Sequence, residues 1–274
     1  MLRFEELLSS DTPVMREGDY VEDGILFCGE CGTARQHRFV LHGDTRVVSC
    51  KCTCELDRIR EEEEQAAHVE RVEALYSVSG MDARMRGWTF DADDSPESQA
   101  SVTAREYVKR WEDVYTAGAG LLFYGNVGSG KTFLAACIAN ELIQQQVSVK
   151  FTSIGRIVGE MQKSWTARQT YLKDLHGYKL LVLDDFAAER DTEYVGEIVH
   201  EVIDERSRAG LPLVITTNLT RRELYEPESL RSQRVMSRIL EQCFVVPVVV
   251  PDRRVRKNDA EGLRNLGKTQ TPNV

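Results

Sequence analysis

Between Gly120 and Asn140 the chain reads GLLFYGNVGSGKTFLAACIAN, an order of residue types that few folds accept. Leu121, Leu122, Phe123 and Tyr124 form an apolar run of the length of a buried strand, and helix-forming residues begin at Phe133. Between them, Gly125, Gly128 and Gly130 let the backbone curl until successive N–H groups converge on an anion. The pattern GxxxxGKT between a strand and a helix is a P-loop. Gly125, Asn126, Val127, Gly128, Ser129 and Gly130 would wrap the phosphates of a nucleotide, and Lys131 would reach the terminal ones. Thr132 would place its hydroxyl on Mg²⁺, and Phe133 lies at the start of a helix whose positive end faces the same charge.

Downstream strands supply the rest of such a site. KLLVLDD is an apolar run that ends in Asp184 and Asp185, and the carboxyl ends of parallel strands line the ligand crevice of an open α/β sheet. Asp184 can hold Mg²⁺ and Asp185 can orient or activate an attacking water. LPLVITTN ends in Asn218, whose amide would sit between those carboxylates and the γ-phosphate and hold a water in line. The surrounding pattern is α/β. It predicts a helix from Glu97 to about Gly118 with Ala104, Tyr107, Val108, Trp111, Val114 and Tyr115 on one face, a strand over 147–153 and a helix over 154–165. A further helix follows around Tyr171, another carries Tyr194 to Ile203, and a third spans Glu228 to Cys243. The closing run FVVPVVV reads as an edge strand because Pro247 cannot donate to a ladder. Trp88 and Phe90 precede this region and suit either a place beside the base or a place in the core.

Five of the seven cysteines fall between Cys28 and Cys54. No basic-then-apolar leader opens the sequence and no apolar run is long enough to span a bilayer, so a reducing, cytoplasmic setting is expected, with no membrane partner. There, clustered cysteines point to metal rather than to disulfides. Cys28 and Cys31 form a CxxC knuckle with a glycine after each thiol, and Cys50, Cys52 and Cys54 supply its partner across a hairpin with a Gly-Asp turn. Four of the five would bind Zn²⁺ in a small zinc-ribbon-like domain; His37 and His42 are alternative ligands. The net charge of −9 argues against coating of nucleic acid by bulk electrostatics, yet leaves room for a local basic face, from Arg253, Arg254, Arg256 and Lys257 near the C-terminus and Arg221, Arg222, Arg231, Arg234 and Arg238 just upstream. The expected organisation is a zinc-binding domain over 1–54, led by Leu2, Phe4, Leu7 and Leu8 on an incomplete helical face. A helical linker follows over 55–87, then an ATPase domain over 88–258 and a tail over 259–274.

The series GNVGSGKT, LLVLDDFAAERDTE, ITTNLT and RVMSRILEQC resembles the DnaC-type replicative helicase loaders and the related ATPase subunits that assist IS21-type transposases. The CGEC and CKCTC pattern is similar to the zinc module of phage and Gram-positive loaders. The resemblance implies an AAA+ P-loop fold with a five-stranded parallel core in the order 5-1-4-3-2, ATP as the nucleotide, and hydrolysis at subunit interfaces. It implies a replicative hexameric helicase and single-stranded DNA as partners, with self-association through the ATP site. It assigns Lys131 and Thr132 to Walker A, Asp184 and Asp185 to Walker B, and Asn218 to sensor 1. Arg238 becomes the arginine finger, with Arg234 in reserve, and Arg254 the sensor 2 arginine. Asp185 stands where many AAA+ proteins have glutamate, and Glu189 is a possible helper.

Overall fold

The computed structural model describes residues 14–162, 165–187 and 192–249. Glu189, Arg253, Arg254, Arg256, Lys257 and the leading residues Leu2 to Leu8 lie outside them. The chain divides into two compact units, Met1–Arg71 and Val72–Val274, and the division falls inside a helix.

In the first unit, β1 (Tyr20–Glu22) and β2 (Ile25–Phe27) form a short hairpin, and β3 (Gln36–Leu41) and β4 (Asp44–Ser49) form a longer one. Both turns hold two consecutive residues at positive φ, Asp23 and Gly24 in one and His42 and Gly43 in the other, as tight two-residue hairpins require. The apolar core is small: Leu26, Cys28 and Cys52 are its buried members. A buried ion pair supplements it, with Arg35 Nη1 donating to Asp19 Oδ2 at 2.5 Å while Asp19 also accepts the N–H groups of Arg16 and Gly29. Helix α1 (Thr53–Ser79) begins just after Cys52 and carries Cys54 in its first turn.

The second unit holds a five-stranded parallel sheet in the order β6-β7-β8-β5-β9, built from β5 (Gly120–Tyr124), β6 (Val149–Thr152), β7 (Leu180–Phe186), β8 (Leu213–Thr217) and β9 (Cys243–Pro247). Numbered along the chain and read from β9, this is the expected 5-1-4-3-2. Helices α2 (Ala83–Arg86), α3 (Gln99–Lys109) and α4 (Trp111–Ala117) precede β5; α5 (Lys131–Gln144), α6 (Ile154–Met161), α7 (Trp165–Gly177) and α8 (Glu193–Arg208) come between strands. Helices α9 (Arg221–Tyr225) and α10 (Leu230–Gln242) lead into β9. Period-2 alternation splits the strands between two cores: Leu121, Phe123, Val182 and Val214 pack with α3 and α5, while Leu122, Leu181, Leu183 and Ile215 pack with α6, α8 and α10. Pro247 ends β9, which pairs with β5 alone and so is an edge strand.

One expected helix is two. At Arg110 the backbone leaves helical geometry (φ −102°, ψ 29°), and beyond that break Trp111 is buried between the rings of Tyr107 and Tyr115. α4 then stops at Gly118, whose left-handed φ of 62° closes the end.

Candidate functional site

The P-loop is shaped as its glycines dictate. Gly125, Gly128 and Gly130 have φ of 151°, 76° and 98°, and a Cβ on Gly125 would come within 2.4 Å of the Val248 carbonyl oxygen. Gly130 caps α5 with no side-chain hydrogen bond, leaving the first N–H groups of a 14-residue helix for an anion. Lys131 is 5% exposed and its Nζ donates to the carbonyls of Gly125 and Asn126, each at 2.8 Å. Beside it the fully buried Ser129 hydroxyl has no hydrogen-bond partner among the described residues. A buried cation resting on loop carbonyls and an unsatisfied hydroxyl are what a phosphate would engage.

The sheet order puts the remaining polar groups at the same edge, because β8 lies between β5 and β7. Asp184, at the end of β7, is mostly buried, and burial raises its pKa while hydrogen bonds from the Thr216 and Thr132 hydroxyls pull it down. Thr132 of the P-loop helix and Asp184 therefore lie near each other, which joins the two sequence motifs. Asp185 is exposed and sits at φ 52°, an uncommon conformation for a residue with a side chain. Its N–H donates to Thr216 Oγ1 at 2.9 Å, and the same hydroxyl donates to Asp184 Oδ1 at 2.6 Å. Asn218 is exposed just past the end of β8, between the P-loop strand and the Asp184 strand.

The described arginines have other partners. Arg238 lies on α10 with its side chain half exposed, bonded to Glu241 at 3.1 Å and 3.8 Å from Asp204. Arg234 is exposed one turn earlier. Of the other expected basic positions, Arg222 pairs with Glu226, Arg231 pairs with Glu193, and Arg221 covers the Tyr225 ring. Trp88 and Phe90 separate: Phe90 is core, whereas Trp88 is partly exposed, its ring 6.0 Å from that of Phe133 and under the guanidinium of Arg84.

In the first unit the Sγ atoms of Cys28, Cys31, Cys52 and Cys54 all lie within 4.8 Å of one another. Cys50 stands apart and directs its thiol to the Ala34 carbonyl; neither His37 nor His42 belongs to the group. The separations of 3.6 Å for Cys28 to Cys54 and 3.3 Å for Cys52 to Cys54 are far beyond a disulfide bond. They approach the roughly 3.8 Å expected between thiolates that are each about 2.3 Å from one tetrahedral Zn²⁺. Crowding acts on the thiols in opposite senses. Hydrogen bonding to Thr33 holds Cys31 down at about 6, while the neighbouring Cys52 thiol pushes Cys54 far up.

Two participants escaped the sequence reading. Thr216 reads as an ordinary strand residue, and its only signal is the doubled threonine before Asn218. Thr33 accepts the N–H of Thr53 at 3.0 Å as well as touching Cys31, and so pins the start of α1 beside the cysteines.

The family model for IstB-like ATP binding proteins matches residues 47–260, most of the chain. The chain belongs to the IstB-like ATP-binding protein family. Its AAA+ core therefore carries a P-loop nucleotide site, and none of the described helices is long and apolar enough to cross a membrane. Among characterised proteins it is 31% identical over 147 residues to the replicative helicase loader DnaC of Escherichia coli K12, covering 52% of this chain and 58% of that protein. It is 35% identical over 136 residues to the replicative helicase loader DnaI of Bacillus subtilis, covering 45% and 43% respectively. The crystal structure of DnaI superposes with a TM-score of 0.54 at 25% identity, covering 64% of this chain and 95% of that one. The chain thus spans under three fifths of the length of the E. coli loader it matches.

Proposed function

We propose that this chain loads a replicative hexameric DNA helicase onto single-stranded DNA in the cytoplasm, driven by ATP hydrolysed where copies of the chain meet. The reading rests on one combination: a four-cysteine cluster whose Cys28 and Cys31 precede the family match, joined to an ATP-binding core similar to DnaC and DnaI. In this reading residues 1–54 engage the helicase with Zn²⁺ held by Cys28, Cys31, Cys52 and Cys54. Residues 55–87 link them to the ATPase over 88–258, and 259–274 form a tail.

The P-loop N–H groups bind the phosphates, and Lys131 leaves the Gly125 and Asn126 carbonyls for the γ-phosphate. Thr132 and Asp184 would hold Mg²⁺, which would supply positive charge against the phosphate oxygens; the Thr132 and Thr216 hydroxyls beside Asp184 support this. Asp185 orients a water and takes its proton as the water oxygen bonds to the γ-phosphorus and the bond to the bridging oxygen of ADP breaks. Asn218 holds that water in line. Arg238, half exposed on α10, serves the γ-phosphate of a neighbouring copy, and Arg254 the chain's own nucleotide.

A second reading, a transposition-helper ATPase, is favoured by the family model itself, which is named for such proteins. An Asp185→Asn variant that binds ATP and stalls separates the two. Used as bait in host extract, it should retain a hexameric helicase; recovery of a transposase instead would replace the first reading by the second.

A further inference from the structure

We infer that Thr216, through one hydroxyl, sets the positions of both strand-end carboxylates and is therefore a positioning residue for ATP hydrolysis; this rests on the roles proposed above for Asp184 and Asp185. The register of β7 against β8 shifts beside these carboxylates. β7 and β8 pair at Leu183 with Ile215 and next at Phe186 with Thr217, three steps on one strand against two on the other. One extra residue is a β-bulge.

The bulge changes where the acids point. Leu181 and Leu183 face the core shared with α6, α8 and α10, so strict alternation would send Asp185 into that same apolar cluster. With the extra residue inserted, Phe186 takes the buried place and Asp185 is exposed. Asp184 keeps the other face, toward Thr132.

A bulge interrupts the ladder, and two adjacent threonines bridge the gap. Thr217 Oγ1 donates to the Phe186 carbonyl at 2.8 Å. Thr216 Oγ1 accepts the Asp185 N–H and donates to Asp184 Oδ1. The directions are fixed: an amide N–H can only donate and an ionised carboxylate can only accept, so the hydroxyl proton belongs to Asp184. Thr216 is itself fully buried, so no water can take its place without rearrangement. The same hydroxyl thus orients the Asp184 oxygens and anchors Asp185 in its left-handed conformation (φ 52°). Valine keeps the shape of threonine and removes only the hydroxyl; serine keeps the hydroxyl and removes a methyl.

The test compares wild type, Thr216→Val, Thr216→Ala and Thr216→Ser for ATP turnover, for binding of a fluorescent ATP analogue without metal, and for the Mg²⁺ concentration at half-maximal binding. Thr216→Val is expected to bind the analogue without metal within about threefold of wild type and to lose at least about tenfold in kcat, the scale of a misplaced reacting group, with a raised Mg²⁺ midpoint. Thr216→Ser should recover to within about threefold of wild type. If the valine variant does not fold, the alanine variant is read in its place, with the same loss expected. Turnover by the valine and alanine variants within twofold of wild type, or a serine variant as impaired as valine, would overturn the proposal. A wild type with no turnover at all would instead defeat the hydrolysis reading; the Mg²⁺ midpoints then decide Thr216, unchanged midpoints counting against it.

Discussion

Asn140 offers a sharp test of how the nucleotide-bearing helix is held. It lies on α5, is 4% exposed, and spends its whole amide on three partners. Its Nδ2 donates to the carbonyls of Met85 at 2.8 Å and Trp88 at 2.7 Å, while its Oδ1 accepts the Tyr76 hydroxyl at 3.1 Å. Asn140→Ala removes all three bonds and strands two carbonyls. At about 1 kcal/mol per hydrogen bond, with part of the extra cost of unsatisfied groups relieved by solvent near the partly exposed Trp88, the loss is about 3 kcal/mol. For a unit of about 200 residues that corresponds to a drop in Tm of roughly 6–12 °C, measurable by circular dichroism. Asn140→Asp should be worse than alanine although it is closer in shape, because it turns a carboxylate oxygen toward two carbonyls where an NH₂ had donated. If the aspartate variant is as stable as the alanine variant, or alanine costs under about 1 kcal/mol, the amide does not bear the load described.

Three further predictions follow from separate parts of the molecule. Arg206 is fully buried and its two terminal nitrogens donate to the carbonyls of Leu175, Tyr178, Lys179 and Pro212; Arg206→Met, leaving those carbonyls unpaired, should cost about 4 kcal/mol or more by chemical denaturation, and a loss under about 1 kcal/mol would count against the clamp. Chelation, or Cys52→Ser, should release one equivalent of Zn²⁺ and open residues 19–52 to hydrogen exchange, whereas Cys50→Ser should keep the metal; equal metal loss in both variants would refute the assignment of the four ligands. Glu223 accepts the Thr220 N–H and hydroxyl, which lowers its pKa from the ordinary glutamate value. A depressed carboxyl pKa contributes stability that is present above the unfolded value and lost as pH falls through the folded one, so an NMR titration should place its midpoint below that of the same residue in the unfolded chain, and a midpoint at or above that would contradict the capping box.

Much of this was readable in advance because it depends on short-range constraints. A strand, three glycines and Lys-Thr leave one plausible local geometry, and Asp184, Asp185 and Asn218 each close an apolar run whose end must emerge at the crevice. The β3–β4 hairpin was legible as a strand-like run around a glycine, but its turn is His42-Gly43, one residue earlier than the expected Gly-Asp, because Asp44 pairs with Leu41. What was not legible depends on pairing between distant strands. The β7–β8 bulge leaves no mark in composition, since LLVLDDF reads equally well with the acid on either face, and Thr216 acquires its role from that register alone. The grouping of Cys52 and Cys54, and not Cys50, with Cys28 and Cys31 follows from chain direction: Cys50 pairs its backbone with Arg35 at the end of β4, while Cys52 just precedes α1 and Cys54 lies in its first turn. The T-x-x-E signature at Thr220 and Glu223 was present and announces α9, a five-residue helix too short for periodicity to register. The division at Arg110 has no breaker residue behind it; it accompanies the burial of Trp111.

Whether ATP is consumed at this site is measured directly by steady-state hydrolysis by the purified full chain, with and without single-stranded DNA and against Lys131→Ala. Mg²⁺-dependent turnover is expected in the wild type, whose Lys131 ammonium rests on the Gly125 and Asn126 carbonyls, and loss of both nucleotide binding and turnover in Lys131→Ala. Tight ATP binding by the wild type with no turnover in either condition would contradict this expectation and leave a nucleotide-switched binding protein in place of an ATPase.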